Sequence, residues 1–253
     1  MTRPAILLKI TRRSIAGIAM SVSITMFRKQ GYAVFPAAVG AEELTSLRTA
    51  CDTLLDEPVD DGGDGRHRIG LGRARRFLAH RHREFPDVAA FVTGATVAAI
   101  TAACLGSKGY LFNEQFVVKG SGSGASFAWH QDGAYVGFDH RPYLTVWIAL
   151  DDTSEDNGCV YLLPRDLDAS PDLDPHEWLE ESRELNGYHG PETGTAMTCS
   201  AGTVVAFSSL SLHRSGPNTT GRPRRAYVCQ YSIDPIRNPK TGALKRFAEP
   251  VGA

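Results

Sequence analysis

This sequence predicts a mostly β chain with flanking helices, arranged as a double-layered barrel. Three observations carry the prediction. Helical spacing is confined to the stretch before Leu105. From Tyr110 onward, short runs rich in β-branched and aromatic residues are separated by Gly, Pro and Asn turns. Helices first and short strands afterwards leave sheet-on-sheet packing as the core, with the helices outside. The third observation is size: 253 residues at 42% hydrophobic suit one domain with a substantial core.

The elements follow in order. Phe27–Pro36 reads as a helix end, a Gly stop and a strand closed by Pro. Leu44, Leu47, Leu54 and Leu55 give Gly40–Leu55 a helical face. Asp56–Gly65 is an acidic, Gly-rich loop, and Arg66–Arg83 is a basic stretch. That stretch suits an entrance for an anionic small molecule or a carrier-linked acyl group, or a solvated charged face. Phe85–Leu105 reads as one helix ending at Gly106. Tyr110–Lys119 and Tyr143–Leu150 read as strands, and the Gly/Ser run 119–124 as a flexible loop. Asn157-Gly158 is a hairpin signal with Cys159–Leu163 as the return strand. Asp166–Gly194 is polar and Pro-containing, a loop expected to form a mobile cover. Gly202–Phe207 and Ala226–Ile233 are further strands.

A net charge of −1 and a pI near 6.7 give no support for nucleic-acid binding. Five scattered Cys without a C-x-x-C imply reduced thiols and a cytoplasmic setting. No stretch reads as a transmembrane helix, so no membrane partner is expected. Residues 1–26 are basic and only weakly apolar. They read as a disordered extension, or as translation from an upstream start with Met20 or Met26 as the true first residue. The folded domain is then 27–253. A Ser-hydrolase elbow, a P-loop and a dinucleotide fingerprint are all missing from the sequence. The expected partner is a small-molecule substrate, and the oligomeric state is open.

The chemistry is concentrated at His130-Gln131-Asp132. In a strand, residues i and i+2 share a face, which sets an imidazole beside a carboxylate. A distal His213 completes a set of two His and one carboxylate, as used by non-haem Fe(II) oxygenases with coordination positions left open. Arg224 lies eleven residues beyond His213 and opens the strand Arg224-Arg225-Ala226-Tyr227-Val228. An Arg there suits a bidentate grip on the carboxylate of a 2-oxo acid, and alternation lets only one of Arg224 and Arg225 face inward. Tyr135, Phe138 and Tyr143 suit either a substrate pocket or core. A cupin-like metal-dependent isomerase or hydrolase, and a non-catalytic ligand-binding barrel, are the alternative readings.

The ordered pieces F-R-K-Q-G-Y-A-V-F-P, W-H-Q-D-G, L-T-V-W-I-A-L-D-D, D-N-G-C-V-Y-L-L-P, A-G-T-V-V-A-F and H-R-S-G-P-N-T-T-G-R-P-R-R-A resemble the phytanoyl-CoA dioxygenase family. These are Fe(II)/2-oxoglutarate oxygenases, and ectoine hydroxylase is among them. The resemblance runs from Phe27 to the last strand. It implies a double-stranded β-helix (jelly-roll, cupin-like), with His130, Asp132 and His213 as ligands of one Fe(II). It implies that Arg224 pairs with the distal carboxylate of 2-oxoglutarate, with Gln115, Trp147 and Thr145 also at the cosubstrate. Trp147 suits barrel core equally, and Asn218 is expected to order the loop after His213. The implied reaction consumes 2-oxoglutarate and O2, releases succinate and CO2, and hydroxylates a C–H bond, with ascorbate supporting activity. Halogenating relatives replace the carboxylate ligand by a small residue, so Asp132 favours hydroxylation or another oxygenase outcome. After Pro164 the family's usual P-G-S-H gives way to Pro164-Arg165-Asp166-Leu167, which makes the loop there this chain's own.

Overall fold

The computed structural model describes residues 24–57, 75–122 and 126–252. The expectations for residues 1–23, for most of the acidic loop and for Arg66–Arg73 lie outside them. The first helix, α1 (Ile24–Gln30), begins three residues before Phe27 and buries Phe27 alone.

Two antiparallel sheets form the jelly-roll, as predicted. The larger has seven strands: β1 (Tyr32–Phe35), β10 (Val204–Ser208), β5 (Leu144–Ala149), β12 (Arg224–Ser232), β3 (Tyr110–Lys119) and β13 (Glu249–Pro250) in order, with β2 (Arg75–Ala79) also on β3. The smaller has four, in the order β4 (Phe127–His130), β11 (His213–Ser215), β6 (Val160–Leu162), β9 (Thr195–Ala196).

Alternation sorts the side chains of the large sheet. Trp147, Ala149, Val205, Phe207, Ala226 and Val228 point inward and pack on Val160 and Leu162 of the small sheet and on Met197 just after it. Val146, Ile148, Ala206, Tyr227 and Cys229 point outward, under the helices. Helix α2 (Ala41–Asp56) covers them with Leu47, Ala50, Cys51 and Leu54, one stripe at i, i+3, i+4 and i+7. Its start is closed by Glu43, whose carboxylate accepts from the Gly40 amide at 2.8 Å. Burying each such large apolar side chain contributes about 1.5–3 kcal/mol, so Leu47→Ala would cost about 2–5 kcal/mol.

Three expectations are corrected. Phe85–Leu105 is not one helix but α3 (Pro86–Thr93) and α4 (Ala95–Leu105), broken at Gly94. Gly94 is extended, and a Cβ there would sit 2.6 Å from the Ala90 carbonyl oxygen. By length and composition this stretch is apolar enough to cross a bilayer. Here it packs on the core, with Val88, Val92, Val97 and Ile100 buried. Second, Asn157-Gly158 does not join a hairpin. β5 lies in the large sheet, while β6 pairs with β11 and β9 in the small one. The Asn157 side chain accepts from the Ser154 amide and donates to the Asp152 carbonyl, closing a turn that carries the chain between sheets. Gly158 has φ +81°, and a Cβ there would meet the Gly216 carbonyl oxygen at 2.5 Å.

Third, 166–194 is not wholly irregular, since β7 (Glu177–Leu179) and β8 (Glu184–Asn186) form a hairpin within it. Glu184 ties that hairpin to Arg75 of β2 by an ion pair at 3.0 Å, with both side chains buried. The basic stretch therefore divides. In its described part, Arg76 donates to the Leu55 carbonyl, Arg81 pairs with Glu57 and Glu84, and Arg83 pairs with Glu249. Among these, Arg76 and Arg81 tie neighbouring elements, while Arg83 stays largely exposed in a surface pair with Glu249.

Candidate active site

The two sheets enclose a cavity of about 160 Å³. His130 ends β4, Asp132 opens a single 3-10 turn (Asp132–Tyr135), and His213 begins β11, directly across the ladder from His130. Strand pairing thus joins residues 83 positions apart. One ligand atom from each side chain lies within 4.8 Å of the others. Asp132 Oδ1 is 3.7 Å from both His Nε2 atoms.

Hydrogen bonds behind the three groups orient them. His130 Nδ1 donates to the Ala128 carbonyl at 2.8 Å, and His213 Nδ1 to the Ser211 carbonyl at 3.1 Å. Those bonds select the tautomer with a bare Nε2, the atom a metal needs. Burial, with His213 adding, pushes His130 well below the ordinary imidazole range, so its neutral ligating form prevails. Asp132 Oδ2 accepts from Thr145 Oγ1 at 2.5 Å and from Gln230 Nε2 at 3.1 Å, which leaves Oδ1 to face the imidazoles. Gln230 Oε1 accepts from Asn113 Nδ2 at 2.8 Å, and Asn113 Oδ1 accepts from His80 Nε2 at 2.8 Å. Every donor in this chain points toward Asp132. His80 starts it from a left-handed backbone, φ +60°.

Arg224 points into the same cavity, as the alternation required, and is 1% exposed. Its Nη2 donates to the Gly158 carbonyl at 2.8 Å, whereas Nε and Nη1 have no partner. Burial pushes the guanidinium down to about 10. Arg225 faces outward and pairs with Asp151 and Asp52, both at 2.7 Å. Two buried orphan N–H groups on a cation are costly unless an anion completes them. A carboxylate is one anion that would complete them.

Gln115, Trp147 and Thr145 all line this cavity. The Thr145 hydroxyl is engaged on Asp132, and the Trp147 ring lies 5.7 Å from the Arg224 guanidinium. Tyr135 and Tyr143 line the cavity as well, whereas Phe138 packs against the cluster of Phe112, Val136 and Tyr143. Asn218 orders its loop, donating to the carbonyls of Lys119, Gly120 and Arg222.

Sequence reasoning did not single out Gln230, Asn113 or Lys119. Their signal is a polar residue at an inward strand position. Lys119 faces Arg224 across the β3–β12 ladder, and burial, reinforced by Arg224 and Arg75, pushes its ammonium down to about 6.

A family profile described as phytanoyl-CoA dioxygenase (PhyH) matches residues 27–226. Among curated relatives, a 2-aminoethylphosphonate dioxygenase from an uncultured bacterium is 29% identical over 56% of this chain, and the match spans 53% of that protein's length. A methylphosphonate hydroxylase from Gimesia maris is 25% identical, covering 81% of this chain and 78% of that one. Among solved structures, EvdO2 from Micromonospora carbonacea superposes with a TM-score of 0.68 at 23% identity, covering 97% of both chains. The profile spans the segments that carry His130, Asp132, His213 and Arg224, while Val228, Gln230, Lys245 and Arg246 of the cavity lie beyond it. By that match, this chain belongs to the phytanoyl-CoA dioxygenase family.

Proposed function

We propose that this protein is an Fe(II)- and 2-oxoglutarate-dependent dioxygenase that hydroxylates a C–H bond of a small molecule, forming succinate and CO2. The observation that carries this is one cavity holding both a His-Asp-His cluster with bare ligand atoms and an Arg224 with two unpartnered nitrogens. His130, Asp132 and His213 would hold the iron, and Arg224 the distal carboxylate of 2-oxoglutarate. With O2, the bound pair supplies the oxidising power for C–H cleavage.

The protein's own contribution is orientation and shielding. Ala128 and Ser211 fix the imidazoles, and Thr145 and Gln230 fix the carboxylate. Trp147, Val160, Phe207 and Val228 keep the cavity wall apolar, which limits water. A hydrolase or isomerase reading does not by itself call for an anion at Arg224. The five cysteines are free, which supports a reducing compartment.

The test is succinate release from 2-oxoglutarate under Fe(II), with Fe(II) binding measured by equilibrium dialysis. His130→Ala and His213→Ala should each abolish both. Wild-type iron stoichiometry in both variants would overturn the assignment.

A further inference from the structure

The cavity's charges are unbalanced in a way that points to the substrate. Asp132 is the one carboxylate on its lining among the described residues, while Arg214, Arg224, Lys245 and Arg246 all reach it. On the reading above, Asp132 and a dianionic 2-oxoglutarate cancel a divalent iron and Arg224. Three cations are left over.

Two of the three are held without a counter-charge. Arg214 stacks on Tyr161, 3.8 Å from the ring centroid, and donates to the Thr193 carbonyl. Lys245 Nζ donates to the Tyr135 and Val136 carbonyls, at the end of the 3-10 turn that Asp132 opens. Its ammonium is thereby anchored on the same short turn as a candidate metal ligand. Arg246 makes no ion pair and no hydrogen bond among the described residues, and its electrostatic neighbours include Tyr143 and the like-charged Lys245.

Tyr143 lies between this corner and the cluster. Its ring stands edge-on to Phe112 at 4.8 Å, and it lines the cavity together with Gln230, which donates to Asp132. Arg246, Tyr143, Gln230 and Asp132 all line this one cavity. An anion on Arg246 would lie in the same cavity as the candidate metal ligands, with Phe112 and Val136 offering an apolar wall to the rest of the molecule.

We propose that Arg246, assisted by Lys245, is the substrate's anion-binding site, and that the substrate is a small molecule with a phosphonate or carboxylate group. This rests on the oxygenase reading and deepens it. A guanidinium with no protein partner gives two parallel donors to such a group.

The experiment is calorimetric titration, without O2, of the full chain loaded with Mn(II) and 2-oxoglutarate. The probes are methylphosphonate, propanoate and the neutral propanamide. At least one anion should bind saturably while propanamide does not, and the stronger anion identifies the head group. Arg246→Gln should weaken that anion at least about tenfold, and Arg246→Lys less. Because Arg246 is exposed at the cavity mouth, the melting temperature should not move. Equal binding of propanamide, failure of both anions to bind, or an Arg246→Gln affinity within twofold of wild type would overturn the proposal. If wild type with Mn(II) binds no 2-oxoglutarate, the preceding reading fails first and takes this one with it.

Discussion

Replacing Arg224 by Met separates a binding role from a structural one, because the two predict opposite signs. In the ligand-free protein Arg224 is buried with two unpartnered N–H groups. Each such group costs about 1–3 kcal/mol, and Met removes both while filling a similar volume. Met also gives up the Nη2 bond to Gly158, and an unpaired buried carbonyl again costs about 1–3 kcal/mol. The ligand-free variant should therefore melt level with wild type or higher. Affinity for 2-oxoglutarate should move the other way. Losing a buried charged partner costs about 2–5 kcal/mol, which at about 1.4 kcal/mol per decade is about 30-fold to a few thousand-fold. Arg225→Met is the control. It should leave 2-oxoglutarate affinity within about twofold yet lower the melting temperature, because half-buried Asp151 loses its guanidinium partner. The assays are thermal melting without ligand and anaerobic calorimetry with Mn(II). A loss of 2-oxoglutarate affinity below about fivefold in Arg224→Met would refute the reasoning. So would a fall in its ligand-free melting temperature as large as that of Arg225→Met.

Other outcomes follow from the same geometry. Gln230→Leu removes a donor from Asp132 Oδ2, and Fe(II) affinity should fall about 10–100-fold by dialysis. Asn113→Leu, one bond further away, should cost less, and an unchanged affinity in Gln230→Leu would show that the relay positions nothing. Glu184→Ala strands Arg75 in the interior and should cost about 3–5 kcal/mol. Limited proteolysis should then cut near 177–186 first, and no change in cutting would mean that the ion pair does not hold the hairpin. Burial lowers the pKa of His82, but hydrogen bonds and charge from Glu114, then Glu249, outweigh this and raise it. A raised folded pKa contributes stability that is complete below about pH 6.5 and lost as pH rises through the folded value. The melting temperature of wild type minus that of His82→Gln should shrink over that rise, and a constant difference would dismiss the linkage.

What was legible in the sequence was local. The i, i+2 spacing put His130 and Asp132 side by side, although the strand ends at His130 and Asp132 reaches the site from a 3-10 turn. Alternation alone required that Arg224 and Arg225 face opposite ways. Helical spacing at Leu47 and Leu54, and β-branched runs such as Leu144–Ala149, announced a helix-covered sheet. What only the tertiary structure decided was partnership. A strand's period says which side chains share a face, but not which strand lies beside it, so β6 could not be assigned to the small sheet from its own residues. Gly94 breaks its helix in an extended conformation where a side chain would meet the Ala90 carbonyl, yet Gly inside an apolar helical pattern is common enough to pass unnoticed. The bonds of Glu184 to Arg75, and of His80 through Asn113 and Gln230 to Asp132, join residues from different elements far apart in the chain. Each of those polar groups looks like an ordinary surface residue in sequence. Burial between two sheets, where a missing partner costs several times what an exposed one does, turns them into the frame of the site.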